Sequence, residues 1–227
     1  DFRENIKKKN YYLILSNLKK FIDNFSPDMT ISHLTWSRFF ANTAAYLSSV
    51  KIRIGYEQGD IFFTSLKYKI LNFFSQFLFH KMIVCSYAHR NWVMKTHKIF
   101  KSKISVYHNC VDLSKFNNEG IVKLDFKLPK CEKLFVCVGT LGSGVNKRVD
   151  ILINSIIKLN KEGHNYGLLV CGDGEQKNQL QNLILDNFMQ KKILLLGNRP
   201  DVNNILRYCD IFIHAAPYEP FGIVAIE

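Results

Sequence analysis

The chain has 227 residues, 47% of them hydrophobic, with a formal net charge of +12. That hydrophobic share supports a packed core and excludes a disordered chain; the length suits two modest domains or one large one. No apolar run reaches the ~20 residues of a membrane-crossing helix, and no segment has a signal-peptide pattern. The charge is uneven: residues 1–118 hold 18 Lys+Arg against 7 Asp+Glu, and residues 119–227 hold 13 against 12. A basic first half suits an anionic surface, and lipid headgroups are favoured over nucleic acid because no nucleic-acid motif appears. A merely solubilising surface is the competing reading. The six cysteines (Cys85, Cys110, Cys131, Cys137, Cys171, Cys209) form no Cys-x-x-Cys pair, and several lie in apolar runs. They read as reduced thiols of a cytoplasmic protein, with no metal site among them.

Residues 1–25 read as a helix, with Tyr11, Leu15, Leu18 and Ile22 on one face, ended by Pro27 and Asp28. A short strand over 29–32 ends at His33, a helix follows over 38–49, and a strand over 52–56 ends at Glu57-Gln58-Gly59. A helix over 65–80 carries Leu66, Ile70, Phe73, Phe74, Phe77 and Leu78. That stripe is read as core; the alternative is a membrane-docking face supported by Lys67, Lys69 and Lys81. Strand 82–86, helix 88–97 and strand 104–108 complete the first half. The polar tract at 117–120 is the domain boundary, giving domains 1–118 and 119–227.

The second half alternates in the same way: strand 134–138, helix 149–160, strand 167–171, helix 176–188, strand 193–196, helix 202–208, then a buried strand over 210–214. The first three of these strands end in Gly139, Gly172 and Gly197, where a bare backbone admits a ligand. Strand–helix alternation with short connections predicts an α/β chain with parallel sheets.

The loop Gly139-Thr140-Leu141-Gly142-Ser143-Gly144-Val145-Asn146-Lys147-Arg148 ends in two cations. Its N–H groups and Lys147 suit a diphosphate. It is neither a P-loop, since Val145 follows Gly144, nor a dinucleotide fingerprint. The stretch from Ala215 to Glu227 holds two glutamates around a Pro-Phe-Gly turn. With Phe221–Glu227 read as the start of a helix, Glu219 in the loop and Glu227 two turns on lie along one edge of a site. The loop lies where open α/β sheets bind ligands.

This motif, with Gly172-Asp173-Gly174 before it and Asn109-Cys110-Val111-Asp112 ahead of the boundary, resembles glycosyltransferase family 4. The family consists of retaining nucleotide-sugar transferases with the GT-B fold, two Rossmann-like domains facing a cleft. The resemblance covers nearly the whole chain. It implies that Glu219 faces the donor sugar, that Glu227 holds the ribose, and that the backbone of Pro220, Phe221, Gly222 and Ile223 lies against sugar and diphosphate. Gly139, Lys147 and Gly172 border the diphosphate, and the loop of Arg199 borders the nucleobase. Arg199 stacking on a base and an Asp201 helix cap are both open there.

Three departures from the family pattern stand out. Thr140 replaces an expected arginine, at a cost of roughly 1.5–3 kcal/mol, about ten- to a hundredfold in donor binding; Arg148 is a substitute or simply a surface charge. Gln58 stands where a histidine commonly faces the sugar. The leaving diphosphate is thought to take the acceptor's proton in this chemistry, so no titrating base is required there. Cys110 stands for a glycine. His33 is either a structural histidine or an acceptor contact.

The implied activity is transfer of a sugar from a nucleotide-sugar to a glycan or lipid-linked acceptor, in cell-surface polysaccharide or glycolipid assembly. The donor is a metal-independent co-substrate and no cofactor is implied. The site of action is cytoplasmic, at the inner face of the cell membrane if the basic half binds lipid. The family's first strand and glycine-rich loop are expected before Asp1 and its closing helices after Glu227. The sequence therefore reads as part of a longer chain, inactive by itself. A non-catalytic nucleotide-sugar-binding scaffold and a GT-B sugar-nucleotide epimerase are the rival readings.

Overall fold

The computed structural model of the chain describes residues 10–59, 65–114, 116, 123–142 and 147–227. The chain divides into two units, Asp1–Asn109 and Cys110–Glu227. The boundary read from the sequence, in the tract 117–120, lies outside the described residues.

The first unit holds α1 (Tyr11–Phe25), β1 (Met29–His33), α2 (Thr35–Leu47), β2 (Ile52–Glu57), α3 (Leu66–Ser75), β3 (Lys81–Val84), α4 (Tyr87–His97) and β4 (Ile104–Val106). Its strands form one sheet in the order β1-β2-β3-β4. All pairs are parallel, with His33 opposite Tyr56, Glu57 opposite Val84, and Met82 opposite Ile104. Asn10 caps α1 by accepting from the Leu13 N–H at 3.3 Å. Ile22 of α1 packs on Ala44 and Ala45 of α2, whose methyl side chains are fully buried.

The Phe-rich stripe is not core. Leu66, Ile70, Phe74 and Phe77 are 72, 49, 60 and 56% exposed. The inward face of this segment is polar, with Asn72, Ser75 and Gln76 buried. The reason lies beneath it: a buried ion pair between Arg38 and Glu57 needs hydrogen-bonding neighbours, and Asn72 Oδ1 accepts from Arg38. The helix also stops at Ser75, short of His80. Ser75 Oγ takes the Asn72 carbonyl and Gln76 Nε2 the Phe73 carbonyl, each at 2.8 Å. Phe77 and Leu78 then bond three residues back.

The second unit holds β5 (Lys133–Val138), α5 (Val149–Lys161), β6 (Tyr166–Cys171), α6 (Lys177–Asp186), β7 (Ile193–Gly197), α7 (Val202–Leu206) and β8 (Ile211–Phe212). The sheet order is β7-β6-β5-β8, all parallel. Val149, Leu152, Ile153, Ile156 and Ile157 of α5 form the buried stripe that covers one sheet face. Asn160 joins α5 to β6, exchanging bonds with the Tyr166 backbone. Asp210 aligns β8 on β5 by accepting from the Leu134 N–H at 2.8 Å and from Lys133 at 3.0 Å, which keeps its carboxyl below the usual range.

Two expectations fail at the end of the chain. The strand after Asp210 covers only Ile211–Phe212 and is not buried, since it pairs with β5 alone at the sheet edge and Ile211 is 40% exposed. Phe221–Glu227 is not a helix but a single 3₁₀ turn, Ile223–Ala225. The stretch is too short to offset the cost of nucleating an α-helix. All six cysteines are free. Burial raises Cys137 to about 11 and Cys171 and Cys209 to about 12, so these thiols are protonated and unreactive.

Candidate functional site

The carboxyl edge of the second sheet gathers the glycines and the charged residues. Gly139 follows β5, Gly172 follows β6, and Gly197 ends β7. The Gly139 N–H donates to the Cys171 carbonyl at 2.9 Å, and the Gly172 N–H to the Gly197 carbonyl at 2.7 Å. A Cβ on Gly172 would stand 1.9 Å from the Gly139 oxygen, and one on Gly174 2.4 Å from the Leu141 carbonyl. In these two loops, therefore, the missing side chains admit the neighbouring loop's backbone. Leu141 N–H donates to the Asp173 carbonyl and Gln176 N–H to Leu141, both at 2.9 Å. Residues 143–146 of the glycine-rich loop lie outside the described residues.

Lys147 runs its stem across Gly139, where a Cβ would be 3.2 Å from its Cγ, Cδ and Cε. Its Nζ reaches Glu219 Oε2 at 2.6 Å. The two side chains are 19 and 29% accessible, shielded enough for the pair to be held and open enough for a ligand. The same Oε2 takes His214 Nε2 at 3.1 Å. The structure thus brings together Gly139, Lys147, Gly172 and Glu219, and adds His214. Thr140 is exposed beside them. Gly222 sits at φ 75°, and a Cβ there would touch Glu219 Cγ at 3.2 Å, so glycine both makes the turn and leaves room for the glutamate stem. Pro220 and Phe221 are half-buried in that turn, while Ile223 is 37% exposed. Glu227 is placed by a bond from its N–H to the Ile223 carbonyl at 3.2 Å, not by two helical turns.

The two candidate arginines, Arg148 and Arg199, are engaged. Arg148 N-caps α5 in a left-handed backbone conformation, and its guanidinium takes both Asp150 oxygens at 3.2 Å. Arg199 forks between Asp125 (3.0 and 2.8 Å) and Asp201 (2.7 Å twice) and lies over the Phe126 ring. Both carboxyls are held below their usual range by it. Asp201 makes no side-chain cap on α7, because its carboxylate is taken by Arg199. Asp125 and Phe126 precede β5, and nothing in their local sequence marks them as partners of residue 199.

In the first unit, His33 and Gln58 lie at the carboxyl ends of the adjacent strands β1 and β2, both exposed. The His33 ring meets Tyr56 edge-on at 5.0 Å, and the Tyr56 hydroxyl bonds Asn109 Oδ1 at 3.2 Å. Beneath Gln58, Arg38 pairs with Glu57 and Asn72. A Cβ on Gly55 would stand 2.5 Å from Arg38 Cδ, so that glycine is the passage for the arginine. The signal for this network is Arg38 itself, the one charged residue in the helix TWSRFFANTAAYL. Leu34, between His33 and α2, is held at φ 66°, ψ 163°, a region that is essentially glycine's.

A lysine and a glutamate thus meet at the sheet's carboxyl edge, where an ammonium suits an anion and a carboxylate accepts from hydroxyls. Residues 123–227 match the family described as glycosyl transferases group 1. The chain is similar to that family over this stretch. Over 224 residues, 94% of its length, the chain is 27% identical to the UDP-Gal:alpha-D-GlcNAc-diphosphoundecaprenol alpha-1,3-galactosyltransferase of Escherichia coli, and it spans 58% of that protein. The lipopolysaccharide outer core galactosyltransferase WaaB has the same fold, with a TM-score of 0.68 over 98% of this chain and 59% of that one at 16% identity. The Anabaena HepE protein, solved with UDP-glucose, gives 0.72 over 93% and 59% at 15% identity. These are GT-B glycosyltransferases, and this chain shares their fold, two α/β units with parallel sheets. The ion pair Lys147–Glu219 lies within the matched stretch, residues 123–227.

Proposed function

We propose that the chain serves retaining transfer of a sugar from a UDP-sugar to a lipid-linked acceptor at the cytoplasmic face of a membrane. The observation that carries the reading is the Lys147–Glu219 contact of 2.6 Å inside the matched stretch. Lys147 and the N–H groups of its loop neutralise the donor's diphosphate, and Glu219 accepts hydrogen bonds from the sugar hydroxyls. Charge develops on the diphosphate as the glycosidic bond breaks, so a fixed ammonium there lowers the barrier. The acceptor's proton passes to the departing diphosphate, and Gln58 contributes a hydrogen bond without titrating. Thr140 supplies no charge, and Arg148 would have to leave Asp150 to supply one. Glu227 holds the ribose, and Arg199 holds its loop at the nucleobase while bound to Asp125 and Asp201. Lys147 supplies the cationic charge on the diphosphate that a metal provides elsewhere, so the donor is read as a metal-independent co-substrate.

The lipid-linked acceptor is supported by the acceptor named for the Escherichia coli relative and by the surface of the first unit. Leu66, Ile70, Phe74 and Phe77 are exposed beside Lys67 and Lys69, and an apolar groove of about 390 Å³ runs between Trp36, Phe40 and Phe74. An apolar face edged by lysines suits anionic lipid.

The deciding experiment supplies radiolabelled UDP-galactose and GlcNAc-diphosphoundecaprenol and looks for labelled lipid with the α-configuration. Label in lipid that is lost in Glu219→Gln supports the reading. Nucleotide-sugar binding without transfer would favour the scaffold, and sugar or nucleotide released without acceptor would favour the epimerase. Absence of any nucleotide-sugar binding removes all three.

A further inference from the structure

Glu219 is held through a single oxygen with two donors. Lys147 Nζ reaches Oε2 at 2.6 Å from the loop after β5, and His214 Nε2 reaches it at 3.1 Å from just beyond β8. His214 is itself well placed. Its ring stacks on Phe212 of β8 at 6.1 Å and 15°, and the Ile213 N–H between them donates to the Val136 carbonyl of β5 at 2.8 Å. The glutamate stem is confined against Gly222.

Lys147 is therefore engaged by the residue it is meant to work beside. A diphosphate presents more negative charge than one carboxylate, with several acceptor oxygens, and draws the ammonium away. Lys147 can turn, because its stem is flexible and lies over a bare glycine. Glu219 then loses its stronger donor at the moment its position matters. His214 is the donor that remains on Oε2, carried by the segment just beyond β8 and not by the loop of Lys147.

We propose that His214 is a positioning residue that holds the Glu219 carboxylate in place when Lys147 transfers to the donor's diphosphate. The inference rests on the roles given above to Lys147 and Glu219. His214 acts through Glu219 and does not itself touch the nucleotide, so its loss should reduce recognition of the sugar and leave recognition of the diphosphate.

The test measures the affinities of UDP and UDP-galactose by calorimetry for the wild type, His214→Ala, His214→Phe and His214→Gln. Phenylalanine keeps the stack on Phe212 but cannot donate; glutamine restores an N–H. The ratio of UDP-galactose to UDP affinity should fall about tenfold in the Ala and Phe variants and recover in the Gln variant. Unchanged ratios in both Ala and Phe overturn the proposal, as does an equal loss of both affinities, which marks a purely structural residue. If either variant fails to fold, the other still decides against Gln. If the wild type binds neither UDP nor UDP-galactose, the donor reading itself fails and takes this proposal with it, an outcome distinct from wild-type binding with an idle His214.

Discussion

The Gly139 carbonyl oxygen lies 1.9 Å from the position that a Cβ on Gly172 would occupy. Two loops that each end a strand are thus locked backbone to backbone, and the bonds Gly139 N–H to Cys171 and Gly172 N–H to Gly197 run beside that contact. Gly139 and Gly172 thus share one edge of the sheet, on which the Lys147 stem is laid.

The Gly172→Ala variant should therefore lose about 3–5 kcal/mol, since the methyl meets backbone that cannot rotate away and the φ of 151° is itself unfavourable for alanine. Urea unfolding followed by far-UV circular dichroism reads the change. A loss below about 1 kcal/mol would mean that the loops are not locked together.

Arg38 and Glu57 give a second stability prediction. Their side chains are 1 and 4% accessible. Replacing Glu57 alone by Leu leaves a buried guanidinium with only Asn72 as a side-chain acceptor among the described residues, and should cost about 3–5 kcal/mol. The double change Arg38→Met, Glu57→Leu should recover most of that loss, because no charge is then buried. Equal destabilisation by the single and double variants would show that packing, not charge, sets the cost.

Much of this was legible in the sequence, and the exceptions have physical causes. Strand–helix alternation marks both parallel sheets, and glycine-ended apolar runs mark the second, where β6 is a continuous buried strand. Lys147 and Glu219 were named from their loops, but not their contact, which spans 72 residues. His214 closes the apolar run Ile211-Phe212-Ile213 and gave no sign of its partner. The α3 face was misread because phenylalanine content suggests burial. The inward face is set instead by what Arg38 and Glu57 require, and that depends on tertiary contacts between α2, β2 and α3.

Leu34 carries strain that can be released. Its φ of 66° with ψ of 163° costs a leucine of order 1–3 kcal/mol, and its side chain is 47% exposed, so little packing is lost on truncation. Leu34→Gly should stabilise the chain by about 1 kcal/mol, net of the added freedom of glycine when unfolded. Thermal unfolding checks this; a destabilised variant would indicate that the exposed leucine is held by contacts worth more than the strain.

His97 makes stability depend on pH. Burial, reinforced by the nearby Arg38 charge, lowers it from 6.5 to about 4. The unfolded chain takes up the proton near 6.5 and the folded chain only near 4. The unfolded state therefore binds more protons between those values, and stability rises with pH across the window. The contribution is present in full above 6.5, falls away as the pH drops towards 4, and amounts to about 3 kcal/mol. His97→Leu should flatten this part of the curve in urea titrations at pH 7.5, 5.5 and 4.5. An unchanged slope would assign the pH dependence to other groups.

Phe74 and Phe77 test the membrane reading. Both rings are exposed on a unit whose lysines outnumber its acids, while the same segment buries Asn72, Ser75 and Gln76. A helix with its polar side inward and its apolar side outward has its hydrophobic face available to something other than its own core. Sedimentation with vesicles containing phosphatidylglycerol should show binding that weakens with salt, because lysines contribute through a screened field. Each Phe→Ser change should lower partitioning about tenfold, from the apolar area no longer buried in the acyl boundary. Loss of salt dependence with the phenylalanine effect intact would leave insertion without lipid charge. Loss of the phenylalanine effect with salt dependence intact would leave the lysines alone at the surface, and the exposed rings would then belong to another contact.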